Sequence, residues 1–240
     1  MRITLRIRRF DPWTGEPHWD ADYPVEVDPT DRILDALIRV KEEQDGSLSF
    51  RRSCAHGVCG SDAMIIAGVE RLACKTLVRD VAVEEGAVVT VQPLRWLPVQ
   101  RDLMVDQDAF FAKFRSVKPF LINDEPVGDG KERVQGQAER AAFDDATSCI
   151  LCGSCYSSCP VLEANGAYLG PAALVQAARF VFDSRDRGFA QRMSLLDRAD
   201  GAWACDNHFN CTRVCPREIK VTKNINALKR QITRSKEGSS

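Results

Sequence analysis

The ten cysteines of this 240-residue chain constrain its fold more than any other feature, because they fall into three closely spaced groups. The groups are Cys54, Cys59 and Cys74; then Cys149, Cys152, Cys155 and Cys159; then Cys205, Cys211 and Cys215. Residues 75–148 contain no cysteine, which indicates two cysteine-bearing domains. In a reducing compartment, which we expect for this chain, cysteines serve as metal ligands more often than they form disulfides.

The second group has the spacing of a bacterial iron–sulfur motif. Residues 149–160 read CILCGSCYSSCP, which matches C-x₂-C-x₂-C-x₃-C-P in full. Where a chain has two such runs, the fourth cysteine of each run binds the cluster of the other run. The expected ligands of a [4Fe-4S] cluster are therefore Cys149, Cys152, Cys155 and Cys215. The alternatives are buried structural cysteines or a zinc site, although zinc sites use paired CxxC motifs.

The third group is a second run in which one thiolate is missing. Residues 205–216 read CDNHFNCTRVCP, and His208 occupies the slot of the second cysteine. The thiolates that remain for the other cluster are Cys159, Cys205 and Cys211. They predict a three-iron [3Fe-4S] cluster, unless the His208 imidazole binds a fourth iron, as imidazole does in Rieske centres. In either case, we expect a higher reduction potential here than at the all-thiolate cluster.

The first group resembles the plant-type cluster motif C-x₄-C-x₂-C…C. In residues 54–74, Cys54, Cys59 and Cys74 fit this pattern, while Asp62 stands where the third cysteine would be. Since a carboxylate can bind iron, these residues predict a [2Fe-2S] site with Asp62 as the fourth ligand. The alternative is that Asp62 only caps the loop and that water or another residue binds instead. Three clusters with four, four and three ligands need eleven ligands, which the ten cysteines and Asp62 supply with none left over.

The hydrophobic periodicity changes from strand-like to helical along the chain. Residues 3–9 alternate apolar and polar side chains, which is typical of a half-buried strand, and residues 31–43 have apolar residues at helical spacing. Further strands are predicted at residues 23–27, 64–68, 71–78 and 88–94. Further helices are predicted at residues 102–118, 171–185, 189–199 and 221–234.

These elements predict an α+β fold with two domains. An N-terminal plant-type ferredoxin (β-grasp) domain over residues 1–100 is followed by a connecting helix and loop over 101–140. An all-α two-cluster ferredoxin domain then covers residues 141–240.

Charge and hydropathy exclude some classes of function. Lys and Arg number 33 against 34 Asp and Glu, so the chain lacks the basic footprint of a nucleic-acid-binding protein. No apolar run approaches the length that a membrane-spanning helix needs. The first ten residues alternate apolar and charged side chains, so we expect no signal peptide.

The motifs together resemble those of a known family. RRSCAHGVCGSDAM, RLACK, CILCGSCYSSCP, LGPAAL and NCTRVCP occur in this order over nearly the whole chain. They resemble the iron–sulfur subunits of succinate dehydrogenase and quinol:fumarate reductase, the succinate:quinone oxidoreductase family. The resemblance implies the same three ligand sets as the spacing.

The resemblance also implies a function and partners. It implies an oxidoreductase subunit, active only within its complex, that relays electrons from FAD in a flavoprotein subunit to a membrane quinone. It implies membrane-anchor subunits, with or without haem b, and a peripheral position at the cytoplasmic face of the cell membrane. The quinone is menaquinone or ubiquinone.

The sequence departs from the family pattern at the quinone end. Many ubiquinone-reducing members have a tryptophan where Ala164 stands and a histidine where Asp206 stands. Pro160 is kept and a histidine appears two positions later as His208, so Pro160 and His208 are the candidate quinone-site residues. The alternatives are a fumarate reductase subunit, a related iron–sulfur component of glycolate oxidation or heterodisulfide reduction, and a free-standing multi-cluster ferredoxin.

Overall fold

The computed structural model describes residues 1–14, 18–128 and 130–238. The chain divides into two compact units. Unit 1 contains Met1–Gln107 and Ile150–Ser158, and unit 2 contains Asp108–Cys149 and Cys159–Ser240. The domain limits near residues 100 and 140 stay predictions.

Unit 1 is built on a five-stranded mixed sheet. Its strands are β1 (Arg2–Arg9), β2 (Trp19–Glu26), β3 (Ala63–Ile66), β4 (Val69–Leu72) and β5 (Val88–Gln92). The spatial order is β2-β1-β5-β3-β4, in which β1 and β5 run parallel and the other pairs are antiparallel. A separate pair consists of β6 (Val99–Arg101) and β7 (Met104–Val105).

The helices belong mostly to unit 2. They are α1 (Ile33–Arg39), α2 (Asp108–Ser116), α3 (Gln137–Ala141), α4 (Asp144–Thr147), α5 (Ser154–Ser157), α6 (Pro160–Ala164), α7 (Pro171–Val181), α8 (Phe189–Leu196), α9 (Asn210–Arg213) and α10 (Val221–Glu237). Short π- and 3₁₀-helical turns cover Val40–Gln44, Val78–Asp80 and Ala202–Ala204. No helix in the described ranges is long and apolar enough to cross a bilayer.

The apolar pattern explains the core of unit 1. Ile3, Leu5 and Ile7 on β1 are fully buried because alternate side chains of a strand point to the same face. On α1, Ile33 and Leu37 lie four residues apart on one helix face and are also fully buried. A mixed sheet that shares its core with one long helical segment confirms the predicted β-grasp-like domain.

The predicted helix over residues 102–118 is wrong in its first third. Helix α2 begins at Asp108, and the preceding residues form the β6–β7 hairpin. Asp102 turns this hairpin with a φ of 47° and is only 1% exposed. Its carboxylate accepts hydrogen bonds from Arg9 Nε and the Ser49 N–H, each at 2.8 Å. These distant partners hold residue 102 in a turn.

Unit 2 is organised around α7, which confirms the predicted helical second domain. Almost all of α7 is buried, and it contacts α2, α4, α8 and α10. Helix α10 turns one apolar face inward through Val221, Ile225 and Leu228. The small alanine side chains of α7 leave room for its neighbours to pack closely.

Candidate iron–sulfur cluster sites

The plant-type loop of unit 1 directs backbone N–H groups at a cysteine sulfur. Cys54 Sγ accepts hydrogen bonds from the N–H groups of His56 at 3.5 Å, Val58 at 3.4 Å and Cys59 at 3.3 Å. The N–H groups of His56 and Cys59 are the main cause that lowers the pKa of Cys54 to about 6. The loop therefore favours the thiolate, which is the form that binds iron.

Two glycines allow this loop to fold tightly. Gly57 and Gly60 have φ values of 82° and 70°, a region that side chains with a Cβ rarely adopt. A Cβ on Gly57 would lie 2.8 Å from Lys75 Cδ, and one on Gly60 would lie 2.6 Å from Cys152 Cβ. The loop is therefore tightly packed at both positions, and a larger residue at either one would clash with a neighbouring side chain.

Asp62 has one carboxylate oxygen engaged and one without a partner. The residue is 3% exposed, and its Oδ2 accepts a 2.6 Å hydrogen bond from the Cys74 N–H. Its Oδ1 is buried and has no hydrogen-bond donor among the described residues. Buried polar atoms are seldom left unpaired, so an unpaired oxygen beside a cysteine fits a residue that binds a metal. The loop-capping and iron-binding interpretations of Asp62 are therefore compatible.

Cys74 lies against this carboxylate. It is fully buried, and burial followed by the nearby Asp62 side chain raises the pKa of its thiol to about 12. A bound iron would reverse this effect, because a coordinating cation deprotonates a thiol outright. Two acidic groups placed together in a dry site match the need of a metal for anionic donors.

Unit 2 brings the three predicted ligands of the third cluster to one cavity. Cys159 directly precedes α6, Cys205 follows the 3₁₀ turn at Ala202–Ala204, and Cys211 lies in α9. All three line the same small cavity. Burial raises the pKa of Cys159 and Cys211, and the N–H groups of Leu162 and Val161 oppose this effect at Cys159.

Hydroxyl groups that no cluster motif predicts line the same cavity. Tyr168 is 1% exposed and lines this cavity together with Cys205. Burial, followed by the charges of Cys205 and its neighbours, raises the pKa of Tyr168 well above its usual range. Thr222 Oγ1 lies 3.6 Å from Cys211 Sγ. The only sequence signal for Tyr168 is its position directly before the LGPAAL motif.

Both candidate quinone-site residues line this cavity as well. Pro160 is the first residue of α6, and His208 is an exposed residue of the loop between Cys205 and α9. Asn207 and Phe209, on either side of His208, have φ values of 59° and 62°. Such left-handed conformations are uncommon outside glycine and often occur at functional sites. The roles of Pro160 and His208 stay predictions.

The cysteines of the bacterial-type run are divided between the units. Cys152 and Cys155 belong to unit 1, whereas Cys149 and Cys215 belong to unit 2. Within unit 1, α5 is held by Ser157, whose hydroxyl accepts from the Arg95 N–H and donates to Glu70, each at 2.9 Å. The grouping of these four cysteines on one cluster stays a prediction.

The zinc alternative requires ligands that lie close together, since zinc binds sulfur at about 2.3 Å and nitrogen or oxygen at about 2.0–2.2 Å. Within residues 1–14, 18–128 and 130–238, no group of three or more His, Cys, Asp or Glu side chains is placed to hold a single metal ion. The ligands of an iron–sulfur cluster bind different irons, so their side chains can lie farther apart than the ligands of a single zinc ion.

Comparisons with known proteins agree with this arrangement. The family described as "2Fe-2S iron-sulfur cluster binding domain" matches residues 4–112, and the family described as "4Fe-4S dicluster domain" matches residues 145–219. The "Fumarate reductase iron-sulfur subunit" of Mycobacterium tuberculosis is 40% identical over 240 residues, which cover 95% of this chain and 96% of the relative. The chain belongs to the succinate dehydrogenase and fumarate reductase iron–sulfur subunit family.

Other members of the succinate dehydrogenase and fumarate reductase family agree with this assignment. The "Succinate dehydrogenase iron-sulfur subunit" of Paracoccus denitrificans is 39% identical over 227 residues, which cover 94% of this chain and 86% of the relative. A chain of the solved "Mycobacterium smegmatis Sdh1 complex in the apo form" superposes with a TM-score of 0.87 at 30% identity, covering 98% of this chain and 97% of the other. The predicted family, fold class and order of domains are confirmed.

Proposed function

We propose that the chain is the electron-transfer subunit of a succinate dehydrogenase that passes electrons from FAD in a flavoprotein subunit to a membrane quinone. The observation that carries this proposal is that each unit presents thiols to hydrogen-bond donors, at Cys54 and at the cavity of Cys159, Cys205 and Cys211. Among the described residues, no cysteine forms a disulfide. Donors aimed at sulfur stabilise thiolates and tune the clusters they bind.

The chain supplies ligands for three centres in this proposal. The [2Fe-2S] ligands are Cys54, Cys59, Asp62 and Cys74; the [4Fe-4S] ligands are Cys149, Cys152, Cys155 and Cys215; the [3Fe-4S] ligands are Cys159, Cys205 and Cys211. When bound, such clusters accept and release single electrons, which connects a two-electron flavin to a two-electron quinone. The protein holds the ligands in fixed positions, excludes water from sulfur and sets the local polarity.

The exposure of His208 supports three irons at the last site rather than a histidine-bound fourth. Cys159 and Cys211 are buried, whereas His208 is exposed on the adjacent loop. An exposed imidazole next to a cluster is better placed to exchange protons with a quinone than to complete a buried ligand set. We therefore assign His208, with Pro160, to the quinone side.

The partners follow from this assignment. The complex contains a flavoprotein subunit and membrane-anchor subunits, with or without haem b, and the chain binds peripherally at the cytoplasmic face of the membrane. Phe209 and Trp203, which are 53% and 39% exposed, flank the loop that carries His208 and Cys205. Large apolar side chains exposed beside a redox site suit contact with an apolar partner.

Replacement of Cys205 by serine tests the order of the centres. We expect the purified C205S complex to keep most of its succinate-dependent reduction of an artificial dye but to lose quinone reduction, because only the last centre is damaged. The matched C54S variant removes a ligand at the flavin end and should impair both activities.

Equal loss of both activities in C205S would overturn the proposed order. Fumarate reductase is the second candidate, because relatives of both names match the chain. Assays of the same complex with succinate and with fumarate plus a quinol distinguish the two directions. A chain that carries its clusters but binds no flavoprotein would instead be a free-standing ferredoxin.

A further inference from the structure

The cavity lined by Cys159, Cys205 and Cys211 contains two buried hydroxyl groups that no catalytic role explains. Tyr168 is 1% exposed and Thr222 is 2% exposed, and both line the cavity. We propose that the Tyr168 and Thr222 hydroxyls donate hydrogen bonds to the ligand thiolates of Cys205 and Cys211 and thereby raise the reduction potential of the cluster they hold. This inference rests on the ligand set of the proposed function.

The direction of the hydrogen bond at Cys211 follows from counting protons. A thiolate bound to iron has no proton, so Cys211 Sγ can only accept from Thr222 Oγ1, 3.6 Å away. The Thr222 N–H donates to Thr212 Oγ1 at 3.0 Å, and the two threonine hydroxyls are 3.1 Å apart. With the Thr222 proton directed at sulfur, Thr212 must donate to Thr222.

These contacts form one chain of donors that ends on the cluster ligand. It runs from the Thr212 hydroxyl to the Thr222 hydroxyl and then to Cys211. Successive hydrogen bonds polarise each other in a buried site, so the Thr212 hydroxyl strengthens Thr222 as a donor.

Tyr168 provides a second donor from another element. It lies just before α7, is buried, and lines the same cavity as Cys205. A buried tyrosine hydroxyl normally finds a partner, and a phenol is a stronger proton donor than an aliphatic alcohol. The Cys205 carbonyl accepts a further hydrogen bond from Lys229 Nζ at 2.7 Å, which holds this ligand in place.

The effect on the potential has a definite sign. Reduction adds one electron and makes the ligand sulfurs more negative, so a hydrogen bond to sulfur stabilises the reduced form more than the oxidised form. Hydrogen bonds to the sulfurs are among the factors that set cluster potentials. Buried donors act in a medium of low dielectric, where such a bond is electrostatically stronger than in water.

The test is a redox titration of the purified complex, followed by electron paramagnetic resonance of each cluster. In Y168F and in T222V, we expect the midpoint potential of this cluster to shift to lower values, with a larger shift in the double variant. The midpoint of the [2Fe-2S] cluster should not change. T222S keeps the hydroxyl and should restore the wild-type potential.

Matched controls remove similar groups elsewhere. Y23F removes a phenolic hydroxyl from unit 1, where Tyr23 donates to Asp45 at 2.7 Å. T233V removes an exposed hydroxyl from α10, where Thr233 donates to the Lys229 carbonyl at 3.2 Å. Neither control should change the midpoint of the cluster in unit 2.

Unchanged midpoints in Y168F and T222V, with the cluster signal intact, would overturn the proposal. If those variants fail to retain the cluster, T212V decides, because it leaves both cavity hydroxyls in place and removes the donor to Thr222: a lowered midpoint supports the proposal, and an unchanged midpoint contradicts it. The potential is read from the cluster signal rather than from turnover, so a complex without succinate activity still gives the test. Unchanged potentials would contradict only the role of the two hydroxyls and would not contradict the proposed electron relay.

Discussion

The two carboxylate oxygens of Asp62 have different surroundings. Oδ2 fixes the Cys74 backbone, and Oδ1 is left buried without a donor among the described residues. An uncompensated buried acceptor costs about 1–3 kcal/mol, a penalty that coordination of Oδ1 to iron would remove. We propose that the residue acts both as an anchor of the loop and as an iron ligand.

Substitution of Asp62 by asparagine separates these two roles. Asparagine keeps an oxygen that can accept from the Cys74 N–H but loses the negative charge that binds iron. We expect the D62N complex to lose most of its [2Fe-2S] signal in electron paramagnetic resonance, while its [3Fe-4S] signal remains.

The variant D62C serves as the matched control, because it supplies the thiolate of the plant-type pattern. It should retain the [2Fe-2S] cluster with a changed potential. Full retention of the cluster in D62N, with unchanged potential, would show that Asp62 only caps the loop.

At the scale of elements, the loop that carries Cys54 and Cys59 depends on the space at Gly60. A Cβ there would lie 2.6 Å from Cys152 Cβ and 3.0 Å from Cys152 Cα, so the backbone itself must move. We expect G60A to destabilise unit 1 by more than the roughly 1–2 kcal/mol cost of a left-handed alanine and to weaken [2Fe-2S] binding. Thermal unfolding and iron retention measure the two effects.

Gly68 provides the control for Gly60. Its φ of 79° is similar, but nothing lies within 4 Å of the position that a Cβ would occupy. G68A should therefore show only the conformational cost and keep its cluster. Equal behaviour of G60A and G68A would mean that the close contact with Cys152 does not matter.

Some elements could be predicted from local patterns and others could not. Strand β1 and helices α7, α8 and α10 appear close to their predicted ranges because their apolar periodicity is strong. The turn at Asp102 and strand β7 fall within the range predicted as helix. Local periodicity does not reveal them, because Arg9 and Ser49, far away in the sequence, stabilise the turn. Arg192 gave no signal either, yet it is 1% exposed and pairs with the buried Asp186.

At the scale of the whole molecule, cysteine spacing predicts three ligand sets, and the structure places one set in a single cavity and two members of another set side by side. Cys159, Cys205 and Cys211 share a cavity, and Asp62 lies against Cys74. The proposed donors to sulfur, Tyr168 and Thr222, belong to no cluster motif, so cysteine spacing does not predict them. Hydrogen bonds of this kind depend on tertiary packing of α7, α9 and α10, which spacing does not encode.

The most direct test of the account is electron paramagnetic resonance of the native complex, purified anaerobically and then oxidised. The account predicts a three-iron signal from the site of Cys159, Cys205 and Cys211. Addition of succinate should abolish this signal, because electrons from the flavoprotein reach the last centre through the other two. An oxidised complex without a three-iron signal, or a signal that succinate leaves unchanged, would contradict the proposed relay.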